Sequence, residues 1–335
     1  MSKPSLGVVA VGNSLLDVLS NATEDFIKDQ HDKHGMEKGS MTLIDEPRAV
    51  ELYTLMQDGV ETSGGSAANT MAGFASCGGK GGFIGKVADD ALGKIFINDI
   101  KSLGLIFETT PLAVGAPTGR CLILITPDAH RTMNTFLGAS VELSPNDIDE
   151  DLIAQAQITY LEGYLFDKDL AKAAFIKASE AAHKHGHKVA LTLSDPFCVD
   201  RHRDDFLELV ESHIDILFAN EDEIKSLYQK DNFDDAISAV SNNVEVAAIT
   251  RSEKGAVIIA GDKNVKISAE PVEKVIDTTG AGDQFAAGFL YGYTEGEDLE
   301  TCGRYGAIAA AEVISHVGPR PLVSLADLLK QKKAA

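Results

Sequence analysis

Residues 277–283 read Asp-Thr-Thr-Gly-Ala-Gly-Asp and combine residue types that suit phosphoryl transfer. The glycines allow a bulky anion to approach the backbone closely. An apolar helical pattern follows, and the unpaired N–H groups at the start of a helix attract negative charge. Asp283 could take the proton from a hydroxyl held beside that anion. Alternatively, Asp283 is only a favourable first-turn acid and the glycines only make a tight turn.

The elements that must position this turn alternate between short β-rich apolar runs and helical patterns. This alternation predicts an α/β fold with a largely parallel sheet, in which ligands bind beyond the carboxyl ends of the strands. Val275 and Ile276 are predicted to end a further extended segment. The predicted strands are 8–11, 83–85, 158–161, 189–193, 214–218, 246–250 and 256–259, and the predicted helices are 67–77, 91–102, 171–185, 221–228 and 234–241.

Two regions interrupt the alternation, at approximately 14–45 and 108–137. Both are predicted to be extended, and together they could form a small β lid over the site. The second region contains a predicted hairpin, with strands 120–126 and 131–136 joined by a turn at Pro127-Asp128. Arg131 follows that turn and could place a guanidinium over a phosphate, although a surface arginine would have the same pattern.

Polar residues follow the first predicted strand and precede the first predicted helix. Asn13 and Asp17 could bind neighbouring hydroxyls of a sugar, or could serve turn and capping roles. Gly64 and Gly65, before Ser66, could bring a ligand close to the backbone. A plain loop is the alternative for this glycine pair.

Two further polar stretches follow later strands. Phe197, after Ser194-Asp195-Pro196, could stack on a base or pack in the core. Asn220 and Glu223 share one side of a helix's first turn. They could place a hydrated Mg²⁺, or form a capping box, or do both.

The composition excludes several classes of function. The chain has 335 residues with 44% hydrophobic content, enough for a full core, and 30 basic against 51 acidic residues give 30 − 51 = −21. Such an acidic chain is unsuited to nonspecific nucleic-acid or anionic-membrane binding. The sequence has no apolar stretch of membrane-spanning length and no typical secretory signal. Its four cysteines are widely spaced, so we expect reduced thiols in a cytoplasmic protein.

These stretches together resemble the ribokinase-like (PfkB) family of carbohydrate and nucleoside kinases, over essentially the whole chain. The sequence lacks a Walker P-loop and the protein-kinase motif set. The resemblance implies a three-layer α/β/α fold with a mostly parallel sheet and a small β lid. It also implies ATP and Mg²⁺ as cofactors, a small-molecule nucleoside or sugar substrate, and a monomer, with a lid-paired dimer as the alternative.

The resemblance also implies roles for individual residues. Asp283 would be the base, the N–H groups of Gly280, Ala281 and Gly282 would form the anion hole, and Arg131 would lie near the transferred phosphate. The remaining implied roles are substrate binding by Asn13, Asp17, Gly64, Gly65, Asn69, Met133 and Phe197; ATP binding by Ser194, Asn220, Glu223, Thr250, Ser252 and Gly255; Mg²⁺ placement through water by Asn220 and Glu223; and a monovalent cation such as K⁺ at Asp277 and Thr279.

Within this family the chain is most similar to the adenosine kinases. That similarity implies ATP-dependent phosphorylation of the 5′-hydroxyl of adenosine, giving AMP and ADP. Three alternatives stay open: a PfkB-type kinase of fructose or ribose, another purine nucleoside kinase, and a nucleotide-binding regulator without chemistry.

Overall fold

The computed structural model describes residues 4–56, 59–128 and 130–334. In chain order the strands are β1 (Leu6–Val11), β2 (Leu15–Asn21), β3 (Met41–Leu43), β4 (Val60–Gly64), β5 (Gly81–Ile84), β6 (Thr118–Ile125), β7 (Arg131–Gly138), β8 (Ala156–Glu162), β9 (Lys188–Thr192), β10 (Ile216–Asn220), β11 (Val246–Thr250), β12 (Ala256–Ala260) and β13 (Lys263–Ile267). The α-helices are α1 (Glu24–His34), α2 (Glu46–Leu55), α3 (Ser66–Ser76), α4 (Ala91–Ser102), α5 (Glu150–Ile153), α6 (Asp169–Lys184), α7 (Pro196–Arg201), α8 (Arg203–His213), α9 (Glu221–Tyr228), α10 (Phe233–Val240), α11 (Ala281–Thr294), α12 (Leu299–Val313) and α13 (Leu325–Ala334).

Eight strands form a large sheet in the order β13-β12-β11-β10-β9-β8-β1-β5. The six strands β11, β10, β9, β8, β1 and β5 run parallel to one another, whereas β12 and β13 pair antiparallel at one edge. Alternate residues of each strand face opposite sides, so Val9 packs in one apolar cluster with Phe175, and Val8 packs in another with Phe74 and Phe289. Helices therefore cover both faces, which confirms the predicted three-layer α/β/α fold.

The seven predicted strands and five predicted helices are all present, with ends shifted by a few residues. The extended segment predicted to end at Val275 and Ile276 was wrong, since these residues belong to no strand. The Ile276 N–H instead donates to the carbonyl of Ile314, just after α12, at 2.8 Å. Both apolar side chains are about half exposed, so they are not the buried face of a strand. The 277–283 turn is thus reached from an irregular segment.

Five strands form a second sheet, here called the small sheet, in the order β3-β7-β6-β2-β4. It includes the predicted hairpin of β6 and β7, and also β4, which lies outside the two predicted lid regions. The prediction that 14–45 is extended was wrong for Glu24–His34, which forms α1 with Thr23 as its N-cap. Only Ile27 and Gln30 of that helix are buried, so its apolar pattern is weak in the sequence. Among the described residues no helix is both long and apolar enough to cross a membrane.

Candidate active site

The turn before α11 has the geometry of an anion-binding helix start. Gly280 adopts a positive φ of 77°, and a Cβ there would lie 2.6 Å from the carbonyl oxygen of Pro319, so this position requires glycine. A Cβ on Gly282 would meet no atom within 4 Å, which leaves open space beside the first turn. The sequence prediction of a tight glycine turn leading into a helix is confirmed.

The predicted anion hole has two available N–H groups where three were expected. The N–H of Ala281 donates to the carbonyl of Thr278 at 3.2 Å, so this group is already used within the turn. For the N–H groups of Gly280 and Gly282 the described part of the chain shows no backbone partner. These two groups therefore remain candidates for binding an anion.

Asp283 lies partly buried in the first turn of α11 and accepts a hydrogen bond from Ser66 Oγ at 2.6 Å. Burial raises the pKa of its carboxyl group to about 7, and the negative charges of Glu162 and Asp17 act in the same direction. The hydroxyl of Ser66 and the amide of Asn69 partly oppose this rise in pKa. A carboxyl group that titrates near neutral pH has the proton affinity expected of a general base.

Arg131, the first residue of β7, connects the small sheet to the 277–283 turn. Its Nη2 lies 2.8 Å from Oδ2 of Asp277, and its Nη1 donates to Thr279 Oγ1 at 3.5 Å. Both side chains of the ion pair are about nine-tenths buried. Arg131 therefore lies beside the 277–283 turn, and its place near a transferred phosphate stays a prediction.

The Asp277 carboxylate has a full set of donors in this arrangement. Its Oδ1 accepts from the N–H and hydroxyl of Thr279 at 3.0 and 2.7 Å, and its Oδ2 accepts from the N–H of Gly318 at 2.9 Å and faces Arg131. A guanidinium so close would repel a bound cation. The side chains of Asp277 and Thr279 thus do not fit the predicted K⁺ site.

Asp17 lies on β2 and is 8% exposed, at the side of the site nearest the small sheet. Burial raises the pKa of its carboxyl group to about 6, while the positive charges of Arg320 and Arg131 oppose that rise. A Cβ on Gly64 would lie 2.3 Å from the Asp17 carboxyl group, and a Cβ on Gly65 would lie 2.5 Å from the carbonyl oxygen of Asn13. The two glycines therefore make room for the protein's own groups, and their contact with a ligand stays a prediction.

Asn13 is almost completely buried and its amide is bonded to protein groups. Its Nδ2 donates to Glu162 Oε1 at 2.7 Å, and its Oδ1 accepts from Ser140 Oγ at 2.7 Å. The predicted contact of Asn13 with a sugar hydroxyl is therefore not favoured, because both ends of the amide already have partners. Glu162 also accepts from the N–H of Ala67 at 2.9 Å, so it joins β1, β8 and the start of α3.

Glu162 and Arg320 are site residues that the sequence prediction missed. Glu162 is the last residue of β8. Because ligands bind beyond the carboxyl ends of parallel strands, an acidic residue at the end of a predicted strand could have identified Glu162 as a candidate. Arg320 lies in the loop after α12, where no motif marks it. Its Nε donates to Asn69 Oδ1 at 3.1 Å, and its Nη1 donates to Asp99 Oδ2 at 2.9 Å.

The two predicted contacts to a base lie on different elements. Met133 lies on β7, partly buried, and is paired with Met41 and Ile123 in the small sheet. Phe197 lies at the start of α7 and is 76% exposed. The alternative that Phe197 packs in the core is therefore wrong, and its stacking on a base stays a prediction.

Asn220 and Glu223 form the capping box that was one of their two expected roles. Asn220 Oδ1 accepts from the N–H of Glu223 at 2.8 Å, and the Glu223 carboxylate accepts from the N–H of Asn220 at 2.9 Å. Burial raises the pKa of Glu223 to about 7, and the negative charges of Asp195, Asp222 and Asp283 contribute to this rise. This concentration of carboxylates fits a divalent cation held through water. Within the described residues no group of three or more metal-ligating side chains occurs, so a cation would need further ligands from water or phosphate.

The other predicted ATP-binding residues lie at or after the carboxyl ends of β9 and β11, the two strands that flank β10. Ser194 has a positive φ of 73°, and its Oγ accepts from the N–H of Tyr164 at 3.2 Å. Thr250 ends β11 beside Asn220, and Ser252 follows with a φ of 51°. Gly255 has a φ of 81° and passes so near a backbone carbonyl that a Cβ would clash with it. The structure brings these residues to one edge of the sheet.

Comparisons with known proteins agree with this architecture. A sequence model described as pfkB family carbohydrate kinase matches residues 39–325. Adenosine kinase from Saccharomyces cerevisiae is 27% identical over 334 residues, covering 93% of this chain and 96% of the yeast protein. The 5-dehydro-2-deoxygluconokinase of Bacillus subtilis is 28% identical over 297 residues, covering 84% and 91% of the two chains.

Two solved structures superpose closely on this chain. A crystal structure of a probable sugar kinase from Rhizobium etli is 46% identical, with a TM-score of 0.91 and coverage of 99% of this chain and 100% of that one. The crystal structure of adenosine kinase from Sinorhizobium meliloti is 48% identical, with a TM-score of 0.90 and coverage of 98% and 99%. On the match to residues 39–325 and the shared fold, this chain belongs to the pfkB family of carbohydrate kinases.

Proposed function

We propose that this protein is an ATP-dependent kinase that phosphorylates the 5′-hydroxyl of adenosine, giving AMP and ADP. The observation that carries the proposal is Asp283, a partly buried carboxyl group whose pKa is raised to about 7, beside open space at the N-terminus of α11. This combination suits transfer of a phosphoryl group to an alcohol, which needs a base near a site for negative charge.

In the proposed reaction Asp283 accepts the proton of the attacking hydroxyl. The carboxylate takes hydrogen bonds from Ser66 Oγ, at 2.6 Å, and from the Asn69 side chain, and its two oxygens keep further lone pairs for the acceptor. The N–H groups of Gly280 and Gly282 stabilise negative charge on the transferred group through direct donation and the helix dipole. Arg131 adds positive charge from the small sheet.

The acceptor would be held by Asp17, since the Asn69 amide is already engaged by Arg320 and Asp283. A carboxylate can accept hydrogen bonds from two neighbouring hydroxyls, and Asp17 keeps this capacity because Arg320 and Arg131 favour its charged form. This chemistry suits the 2′- and 3′-hydroxyls of a ribose. A free sugar presents similar pairs of hydroxyls, so the site chemistry by itself does not select a nucleoside.

The choice of adenosine is supported by the relatives. The structure from Sinorhizobium meliloti, which is 48% identical over nearly the whole chain, is an adenosine kinase, and so is the full-length yeast relative. The exposed Phe197 offers an aromatic face to a purine base. Since the Rhizobium etli structure is a probable sugar kinase, a sugar acceptor is the second candidate.

Membership of the family implies ATP as the phosphoryl donor and usually Mg²⁺. Thr250, Ser252 and Gly255 would lie against the nucleotide at the carboxyl edge of the sheet. Asn220 and Glu223 would hold the ion through water, and the ion would neutralise phosphate charge. The excess of carboxylates around Glu223 explains why this edge needs a cation before it accepts a polyanion.

A substrate panel tests the proposal. ADP formation by the purified protein with Mg²⁺ and ATP is measured with adenosine, inosine, guanosine, ribose and fructose. We expect the highest kcat/KM with adenosine, and the product should be AMP. A higher kcat/KM with either free sugar would overturn the adenosine assignment in favour of a sugar kinase. Absence of ADP formation with every acceptor would overturn the enzymatic assignment.

A further inference from the structure

Arg320 lies between two polar side chains and is itself mostly buried. Its Nη1 donates to Asp99 Oδ2 at 2.9 Å on α4, and its Nε donates to Asn69 Oδ1 at 3.1 Å on α3. The Arg320 and Asp99 side chains form an ion pair in which the arginine is 16% exposed. The guanidinium is therefore held by a fixed counter-ion and directed at one amide.

This contact determines the orientation of the Asn69 amide. A guanidinium has only donors, so the atom of Asn69 that faces Arg320 must be the oxygen. Asn69 Nδ2, on the other branch of the amide, is then the donor available to the opposite side. Asn69 follows Ser66 by three residues on α3, so both side chains project from one face, and Ser66 Oγ contacts Asp283. The donor of the Asn69 amide therefore faces Asp283 as well, in agreement with the side-chain interaction of Asn69 that lowers the pKa of Asp283.

The backbone around Asn69 is fixed to α11 by a separate contact. Gln284, the residue after Asp283, donates from Nε2 to the carbonyl oxygens of Asn69 and Pro319, both at 2.9 Å. A Cβ on Gly73 would lie 2.0 Å from the Gln284 side chain, so the two helices pack closely here. The Asn69 amide thus has little freedom except rotation about its own side-chain bonds, which Arg320 restricts.

Asp99 extends the contacts to the small sheet. Its Oδ2 also accepts hydrogen bonds from the N–H of Ser63, at 3.2 Å, and from the Ser63 hydroxyl. Ser63 lies on β4 directly before Gly64, opposite the strand that carries Asp17. A continuous set of polar contacts therefore runs from β4 through Asp99, Arg320 and Asn69 to the first turn of α11.

We propose that Arg320 is a positioning residue for the base: by fixing the Asn69 amide with its donor toward Asp283, it keeps that carboxyl group ready to accept the substrate's proton. This inference rests on the proposed role of Asp283. Without Arg320 the amide is free to rotate and present its oxygen to the carboxylate, which disfavours the charged form.

The other groups around Asp283 come from several elements. Ser66 and Asn69 on α3 favour the charged form, whereas Glu162 at the end of β8 and Asp17 on β2 disfavour it. Asp283 in turn raises the pKa of Glu223 on α9 and of Tyr160 and Tyr164 near the end of β8. Since like charges predominate, the carboxylate depends on its few donors, and the loss of one should be measurable.

The test is the pH dependence of kcat between pH 5.5 and 9, at saturating ATP, Mg²⁺ and acceptor. We expect Arg320→Met to move the acidic limb upward by roughly one pH unit, because a hydrogen bond to a charged group contributes on that scale. Arg320→Lys, which keeps a donor and a charge, should restore part of the shift. Asn69→Ala should give a similar shift, and the double variant Arg320→Met with Asn69→Ala should shift no further than either single change.

Arg120→Met is the matched control. Arg120 is a buried arginine of β6, and its guanidinium lies over the ring of Tyr53. The next residue, Cys121, has its pKa raised in part by the negative charge of Asp17. Because neighbouring residues of a strand face opposite sides, the Arg120 side chain is directed away from Asp17. We expect this variant to lose stability without moving the acidic limb. An equal shift in the control, additive shifts in the double variant, or a raised KM with an unchanged pH profile in Arg320→Met would each overturn the inference. If Asp283→Asn is inactive while the acidic limb of the pH profile of kcat is unchanged in Arg320→Met, only the inference about Arg320 fails. If Asp283→Asn stays active, the proposed role of Asp283 as the base fails.

Discussion

Replacement of Asp283 by Asn removes the proposed base while keeping the size of the side chain. The Ser66 hydroxyl can still donate to the remaining carbonyl oxygen, so the turn should keep its geometry. General-base catalysis typically contributes about 10²- to 10⁴-fold to a rate. We therefore expect kcat to fall by that factor, with the Kd for ATP and Mg²⁺ changed by no more than about threefold.

The same change should stabilise the fold, and the size of this effect depends on pH. The folded-state pKa of Asp283 is raised from 3.8 to about 7, so above pH 4 the unfolded chain is ionised while the folded protein still resists ionisation. The free-energy cost of ionising Asp283 in the folded wild type therefore grows as the pH rises from about 4 to 7, and it is constant above pH 7. Three pKa units correspond to an upper bound of roughly 4 kcal/mol, and we expect about 1–2 kcal/mol after relaxation of the surroundings.

The assay combines ADP formation, ATP binding by calorimetry, and thermal unfolding at pH 5 and pH 8. The Tm of Asp283→Asn should exceed that of the wild type by more at pH 8 than at pH 5. Glu300→Gln, an exposed first-turn acid of α12, is the control and should change neither kcat nor the pH dependence of Tm. A kcat within tenfold of the wild type would refute the catalytic role, and an equal Tm difference at both pH values would refute the raised pKa.

Three further predictions concern residues around the same turn. Gly280→Ala should lower the unfolding free energy by about 1–3 kcal/mol, because the position has a positive φ and no room for a Cβ. Gly282→Ala, which has room for a Cβ, should leave Tm unchanged and reduce kcat. Equal losses of Tm in the two variants would contradict this difference between the glycines. Asn220→Ala should cost about 1 kcal/mol in urea unfolding through loss of the capping box, and an unchanged midpoint would refute that role. Arg131→Met should cost about 2–3 kcal/mol, because it leaves the buried Asp277 carboxylate without its guanidinium, and a loss below 0.5 kcal/mol would show that the remaining donors suffice.

The turn at 277–283 shows how far local sequence determines this site. The glycines and the first-turn acid act within a few residues of chain, so their chemistry could be inferred before the structure. Strand and helix patterns of the large sheet were also predictable, because each element buries a face with its own period. The predicted capping box of Asn220 and Glu223 likewise needs only neighbouring residues, and it is present.

Only the tertiary structure decided which partners those residues meet. Asn13 looked like a substrate ligand, yet it is bonded to Glu162 and Ser140, which lie more than 120 residues away in the chain. Asp277 looked like a cation ligand, yet its carboxylate is paired with Arg131 and accepts from the N–H of Gly318. Hydrogen bonds between distant segments depend on how the sheets and loops pack, and a local pattern carries no information about them.

The raised pKa of Asp283 has the same origin. The sequence determined that an acid stands in the first turn of a helix after two glycines. Its burial, its donors from α3, and the nearby charges of Glu162 and Asp17 were decided by packing, because desolvation and Coulomb interactions depend on distance in space. The sequence thus determined the kind of chemistry at this turn, and the tertiary structure decided the proton affinity of the group proposed to perform it.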